Sequence, residues 1–444
     1  MKYLKVILPL ILVAICSCKH KESNEYKSKL NDPMLYCKTV KKLNDVVVDN
    51  NFPPVIASRN YVYANIAAYE CVAASNTGFQ SLSKQIKHLP EIPKPKAGKE
   101  INFQLAALLS FTKVGNAVTF PEGSMMSYYD ELKNMADSLG MPEELLQNTI
   151  EYSDSVVANI IRWSKKDNYA QTRSAEKYSV QTSIDGRWIP TPPMYASALE
   201  PHWNSIRTMV LDSAAMFVPP TPPAFDVANK NSVYYKSLLA VKNIGDSLND
   251  EQKNIAEFWD DNPFKMNVVG HASYATKKFS PPGHWMNIVG IAAKNAKADF
   301  NTTIAAYTET AITMFDGFIC CWDTKFKLNS MRPETVINKY ITDTWRPFIQ
   351  TPAFPAYTSG HSTISAAAAE VMTAWFGDNL SFKDTSSLEF GIAARNIESF
   401  RKASKEAGMS RIYGGIHFMH DNVEGNKIGI KIGLYTIDKL KMRK

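Results

Sequence analysis

The chain has 444 residues, 45% hydrophobic and 21% charged; this excludes a disordered chain and allows one large core or two intimately packed halves. A formal net charge of +7 is small for this length and argues against a nucleic-acid binder. Beyond the N-terminus no segment approaches the roughly 18 uninterrupted apolar residues of a membrane-spanning helix.

In chain order, the first element is MKYLKVILPLILVAICSCKH: Lys2 and Lys5 precede an apolar run from Val6 to Ile15, and Ser17-Cys18 follows. This reads as a signal peptide, too short and wrongly flanked for a transmembrane helix. The Ile15-Cys16-Ser17-Cys18 ending resembles the lipobox of a bacterial lipoprotein. That resemblance implies loss of residues 1–17, lipidation of Cys18 and an exported, outer-membrane lipoprotein touching the membrane only through its lipid. Cys16 is the poorer acceptor because Ile15 precedes it. Residues 18–31 read as a flexible tether, leaving 32–444 as one domain. Cys37, Cys71, Cys320 and Cys321 are too few for a disulfide framework, and the neighbours Cys320 and Cys321 read as core side chains.

Helical spacing dominates the rest. Leu146, Ile150, Val157 and Ile161 form one apolar stripe after Pro142, and Ile304, Tyr307, Ala311, Phe315 and Phe318 form another. The proline-rich stretches LPEIPKPKAGK, RWIPTPPMY and FVPPTPPAF read as ordered crossings between helices. No internal repeat is evident. The expected fold is all-α, a helical bundle, with a helical N-terminal half to about residue 240 packed on a catalytic half from about 240 to 444.

Three segments concentrate oxyanion-binding side chains. In KFKLNSMRP, Lys325 and Arg332 are seven apart, two turns on one helical face, with Pro333 expected to end the helix just after Arg332. Two cations side by side repel, and an anion between them removes the conflict. In PAFPAYTSGHSTISAAAAEVM, Ser359-Gly360-His361 stand where a loop enters an alanine-rich helix, so unpaired N–H groups and the positive dipole end are available to an anion. In SRIYGGIHFMHD, Arg411 precedes His417 by six and Asp421 follows it by four, which lets the carboxylate accept Nδ1–H and leaves Nε2 as ligand or nucleophile. Taken singly, each residue has a plainer reading: His361 as a cap-region histidine, His417 and Asp421 as an i,i+4 pair, the cations as surface charge. A zinc site on His417 and His420 lacks further ligands. His271 and His284 read as structural, and the basic tail KLKMRK as a helix C-terminal cap.

In order and spacing, the three blocks resemble the signature of the type 2 phosphatidic acid phosphatase and vanadium haloperoxidase superfamily: Lys325-x6-Arg332-Pro333, Ser359-Gly360-His361 and Ser410-Arg411-x5-His417-x3-Asp421. Thr358 stands where that family usually has proline. The resemblance implies a helical bundle of the vanadium haloperoxidase and acid phosphatase type, with an oxyanion pocket of Lys325, Arg332, Ser359, Gly360, His361, Arg411 and His417. As a phosphatase, His417 would form a phosphohistidine and His361 would protonate the leaving group. As a haloperoxidase, His417 would ligate vanadium, His361 would act as acid and base on peroxide, and Lys325 would polarise it for attack by halide. Residues 250 to 435 resemble the haloperoxidase branch more broadly, through IAEFWDDNPF, Gly283-His284-Trp285 and CWDTKFKLNSMRPET. Trp322 and Phe354 match the aromatic positions of chloroperoxidase-type members, where algal bromoperoxidases carry Arg and His, and imply a halide pocket. Asp261 is implied as the carboxylate partner of Arg411. A lipid-anchored, exported chain with these features is most similar to bacterial iodoperoxidases. The expectation is one vanadate per chain, with hydrogen peroxide and halide as partners, iodide first and bromide second. The alternatives are a vanadate-inhibited acid phosphatase and a surface lipoprotein that only sequesters an oxyanion.

Overall fold

Fifteen α-helices supply nearly all the regular structure among the described residues, 23–75, 78–269 and 271–444, of the computed structural model. The proposed signal peptide and Cys18 lie outside them. In chain order the helices are α1 (Glu25–Leu30), α2 (Pro33–Asp49), α3 (Pro54–Ala74), α4 (Phe103–Val118), α5 (Met126–Ser138), α6 (Glu143–Ser164), α7 (Tyr169–Arg173), α8 (Val233–Asp246), α9 (Asp250–Phe258), α10 (Pro281–Asn295), α11 (Phe300–Leu328), α12 (Pro333–Tyr340), α13 (Gly360–Phe376), α14 (Phe400–Tyr413) and α15 (Met419–Lys439). Two antiparallel hairpins complete the set, β1 (Met266–Val269) with β2 (Ala272–Ala275) and β3 (Phe382–Asp384) with β4 (Arg395–Ile397). No helix among the described residues is long and apolar enough to cross a membrane.

Local sequence sets the helix starts. Asp32 caps α2 with Pro33 behind it, Asn249 and Gln252 close a capping box on α9, and Asp299, Ser359 and Ser399 each accept an N–H at the starts of α11, α13 and α14. Each cap satisfies an otherwise orphaned donor.

The centre of the molecule is α11, buried without a break from Thr303 to Lys325. It is wrapped by α3 from the N-terminal half and by α13 and α15 from the C-terminal half, so one set of buried apolar side chains runs from Tyr26 to Met442. Its expected stripe is buried, and so is the opposite face. On α6 the buried face is Leu145, Tyr152, Val156, Ile160 and Trp163, so the expected stripe marks only its edge: of Leu146, Ile150, Val157 and Ile161, Val157 alone is buried. Residues 25–30, expected in the tether, form α1, whose Tyr26 and Leu30 are buried. The C-terminal tail does more than cap α15: Leu440 and Met442 are buried, Arg443 bridges to Phe79, and the Tyr69 hydroxyl donates to the Met442 carbonyl.

Close approach of two helices builds the functional end. On α15, Gly425, Gly429 and Gly433 face the alanine-rich α13. A Cβ on Gly429 would stand 2.2 Å from the Thr363 carbonyl oxygen, and one on Gly425 would stand 2.8 Å from that of Ser359. Neither distance is possible for a side chain, so this glycine stripe fixes how near the start of α15 comes to the start of α13.

Candidate active site

Lys325 lies in the last turn of α11, which stops at Leu328 because Asn329 adopts a left-handed conformation, φ 51°, one that its short polar side chain tolerates. The chain then runs extended to Arg332, the N-cap of α12, with Pro333 in the first turn. This corrects the expectation of one helix carrying both cations: Pro333 begins α12 instead of ending α11, since a missing N–H costs nothing at a helix start. The two cations meet nonetheless, on one loop. Lys325 Nζ donates to the carbonyls of Pro355 and Ala356 at 2.8 and 2.9 Å, and Arg332 Nε donates to that of Phe354 at 2.8 Å.

The same loop leads into α13. Ser359 Oγ accepts from the Ser362 N–H at 3.3 Å and lies 2.9 Å from the Ser362 hydroxyl, which donates to Asn422 Oδ1 at 2.8 Å. Gly360 and His361 open the helix, where N–H groups have no intrahelical acceptor. A Cβ on Gly360 would point at the Trp322 ring, 3.6 Å away.

His417 stands just before α15. Its Nδ1 is 2.9 Å from Asp421 Oδ2, as the four-residue spacing suggests, and its Nε2 is 3.0 Å from Arg332 Nη1. A guanidinium has only donors to offer. Nε2 therefore carries the lone pair, and Nδ1 carries the proton given to Asp421. The Asp421 backbone carbonyl accepts the Ser359 N–H at 3.0 Å, tying the third block to the second.

Arg411, in the last turn of α14, donates from Nε to Ser410 Oγ at 2.9 Å and from Nη2 to the Trp259 carbonyl. The expected Arg411–Asp261 ion pair is absent among the described residues. Asp261 instead faces His284 at 3.0 Å and lies 3.9 Å from His361 Nε2. His284 has a proton to give and is packed against that carboxylate, whereas Arg411 is already engaged by Trp259.

The site is cationic, and its charged side chains are buried. Burial pushes Lys325 down to about 7; Cys321 and Asp421 oppose the shift and Arg332 adds to it. Burial likewise pulls Arg332 down to about 9, against the nearby Asp421, and lowers Arg411. Both His361 and His417 are held well below the usual histidine range, by burial first and then by the surrounding cations, led by Arg411 for His361 and by Arg332 for His417. No carboxylate among the described residues lies within ion-pair distance of Lys325, Arg332 or Arg411. Among the described residues, Arg332 Nη2 and His361 Nε2 have no hydrogen-bond partner. A buried guanidinium N–H without an acceptor is what an oxyanion satisfies.

Above this floor lies a cavity of about 350 Å³ reached by Gly360, His361, Arg411 and His417. Lys325, Arg332 and Ser359 do not line it; they are fully buried beside the residues that do. Trp322 and Phe354, ring centroids 4.9 Å apart, form an aromatic wall, with Lys325 Nζ 5.0 Å from the Phe354 ring. The remaining wall includes Thr191, Met194 and Leu199 from the RWIPTPPMY crossing and beyond, and Pro54 of α3. Sequence reasoning assigned the chemistry to the half after residue 240 and missed these. The proline run was the available signal, because it fixes an ordered path with little secondary structure of its own.

Residues 305–443 match the VCPO second helical-bundle domain. The crystal structure of the first bacterial vanadium-dependent iodoperoxidase is 41% identical, with a TM-score of 0.88 over 93% of this chain and 97% of that one. The chain belongs to the vanadium-dependent haloperoxidases. Holo-type and apo-type bacterial vanadium-dependent chloroperoxidase structures share the fold at 16% and 15% identity, with TM-scores of 0.63 and 0.66, over 87% of this chain and 92% and 94% of theirs. No curated protein matches it. Haloperoxidase function, with vanadate as cofactor and peroxide and halide as substrates, follows from this membership. The residues present fit vanadate: among the described residues, an imidazole lone pair at His417 Nε2, three buried cations with no carboxylate within ion-pair distance, and a guanidinium nitrogen without a hydrogen-bond partner belong to one electrostatically coupled cluster. No group of three or more His, Cys, Asp or Glu among the described residues is placed to hold a metal ion.

Proposed function

We propose that the protein binds one vanadate per chain and oxidises iodide, with bromide as a second halide, so that hydrogen peroxide, halide and a proton give hypohalous acid and water. The observation that carries this reading is His417 Nε2, deprotonated beside Arg332 and held by Asp421 from behind. Bound vanadate supplies a Lewis-acidic centre that activates peroxide without changing oxidation state. His417 Nε2 is assigned as its nitrogen ligand. Arg332 Nη2, the Lys325 ammonium, Arg411, the Ser359 hydroxyl and the Gly360 N–H are assigned to its oxygens, where charge-assisted donors in a buried site are strongest.

His361, whose Nε2 has no hydrogen-bond partner among the described residues and whose basicity is lowered by burial and Arg411, takes a proton and returns it readily. Trp322 and Phe354 exclude water beside Lys325, which favours a large, weakly hydrated halide; the 41% identical relative, itself described as an iodoperoxidase, supports the same preference. Cleavage before Cys18, its lipidation and export to the outer membrane belong to this reading through the N-terminal sequence.

A paired assay on protein lacking residues 1–17 tests it. Vanadate-loaded protein with hydrogen peroxide should turn over iodide faster than bromide and chloride, while vanadate-free protein should release little phosphate from p-nitrophenyl phosphate. Phosphate release blocked by vanadate, with no halide turnover, would make His417 a phosphoryl-accepting nucleophile and the protein a phosphatase.

A further inference from the structure

His284, near the start of α10, is completely buried and takes no part in the chemistry above. Its Nδ1 lies 3.0 and 3.2 Å from the two oxygens of Asp261, and its Nε2 lies 3.0 Å from Asp384 Oδ2. Ionised carboxylates only accept hydrogen bonds, so both ring nitrogens carry protons and the group is an imidazolium between two aspartates. Burial opposes that charge, but Asp261 and Asp384 outweigh it and lift His284 to about 10. The far carboxylate is itself pinned: Asp384 ends β3, and its Oδ1 accepts the Ser386 N–H at 2.9 Å. The Trp259 ring stacks on the imidazole at 4.7 Å and Phe258 packs at 5.4 Å.

The near carboxylate leads to the active site. Asp261 Oδ2 is 3.9 Å from His361 Nε2. Around Asp261 the charged neighbours are His284 from α10, Arg411 from α14, and the adjacent Asp260, itself paired with Lys265 and Lys278 at 3.4 Å. Among the described residues, only His284 hydrogen-bonds the Asp261 carboxylate directly.

We propose that His284 is a positioning residue, which, hydrogen-bonded through both ring nitrogens and braced against Asp384, holds Asp261 fixed beside His361. The inference rests on His361 being the proton-handling group proposed above. His284 is itself among the cations that lower His361, against a hydrogen bond to the Trp259 backbone; what it adds besides charge is position, because it determines where the Asp261 carboxylate stands, 3.9 Å from His361 Nε2.

Histidine ring NMR on ¹⁵N-labelled, vanadate-free protein reads the brace without any turnover. At pH 7 the His284 signals, assigned by their loss in His284→Gln, should show two N–H protons. Asp384→Asn keeps the side-chain shape and the Ser386 contact and serves if His284→Gln does not fold. It should remove the second N–H and move the His361 signals, while those of His417 stay in place. In vanadate-loaded protein, Asp384→Asn should lower kcat about tenfold with vanadate retention and iodide KM unchanged. A single N–H on His284 in the parent protein would overturn the proposal. So would unmoved His361 signals and unchanged kcat in Asp384→Asn, whatever its melting temperature, because a merely structural strut behaves that way. If the parent protein fails to oxidise iodide, the functional reading falls while the NMR result still decides the brace.

Discussion

Arg59 and Arg332 are both buried arginines, one in each half of the molecule, and they differ in what faces them. Arg59 Nε meets Asp167 Oδ2 at 2.7 Å; the same oxygen accepts the Tyr63 hydroxyl at 2.9 Å, and the other Asp167 oxygen caps the Tyr169 N–H. Every charge there has its partner within the fold. Arg332 meets two carbonyls and a histidine lone pair, has one nitrogen without a hydrogen-bond partner among the described residues, and shares its surroundings with Lys325 and Arg411. The first cluster is complete in the protein alone and the second only with an anion. A buried charge therefore reports function by its missing partner more than by its burial.

Removing one cation from each cluster should separate the two roles. Arg59→Met leaves Asp167 buried without its counter-ion and should cost about 3–5 kcal/mol of stability, with vanadate affinity unchanged in calorimetry. Arg332→Met should do the reverse. It removes charge-assisted contacts worth about 1.5–3 kcal/mol each, so vanadate affinity should fall roughly 100-fold, while the anion-free variant melts no lower than the parent. If Arg332→Met instead unfolds the protein as Arg59→Met does, Arg332 is a structural cation and the comparison fails.

The same contrast explains what could be read from the sequence. Helical spacing disclosed the fold class, but one stripe on α11 could not show that the opposite face is also buried. The residues there include Thr308 and Thr313, whose hydroxyls bond the carbonyls of Ile304 and Glu309 and so look polar only in one dimension. The anion-binding residues were legible because each sits at a helix end or within four residues of a partner. What decides the fate of Pro333 is the backbone of Asn329, and what decides the partner of Asp261 is His284, 23 residues on, together with Asp384, 100 beyond that. Long-range choices between competing donors leave no local pattern. The wall contributed by Thr191 and Met194 was missed for a related reason, since a proline-rich crossing shows order without showing what it covers.

The smallest expected effect is a pH dependence that only the anion-seeking cluster should display. Burial pushes Lys325 from its ordinary 10.5 to about 7, and a bound anion would draw it back upward. Between those values the folded, anion-free protein lacks a proton that the unfolded chain still holds, so this group makes stability rise with pH from about 7 to 10.5. Anion affinity must move the other way, because binding takes up that proton. Sulfate does not titrate in this range and serves as the probe: its affinity should be flat below pH 7 and fall up to tenfold per unit from there toward pH 9, where Arg332, lowered to about 9, begins to add its own loss. Lys325→Met should bind more weakly at pH 6 and show no slope from pH 7 to 8, leaving only the Arg332 loss nearer pH 9. A parent protein whose sulfate affinity is level across that window would mean that the Pro355 and Ala356 carbonyls keep Lys325 charged without an anion. The lysine would then belong with Arg59 among the self-sufficient charges, leaving Arg332 and Arg411 to hold the oxyanion.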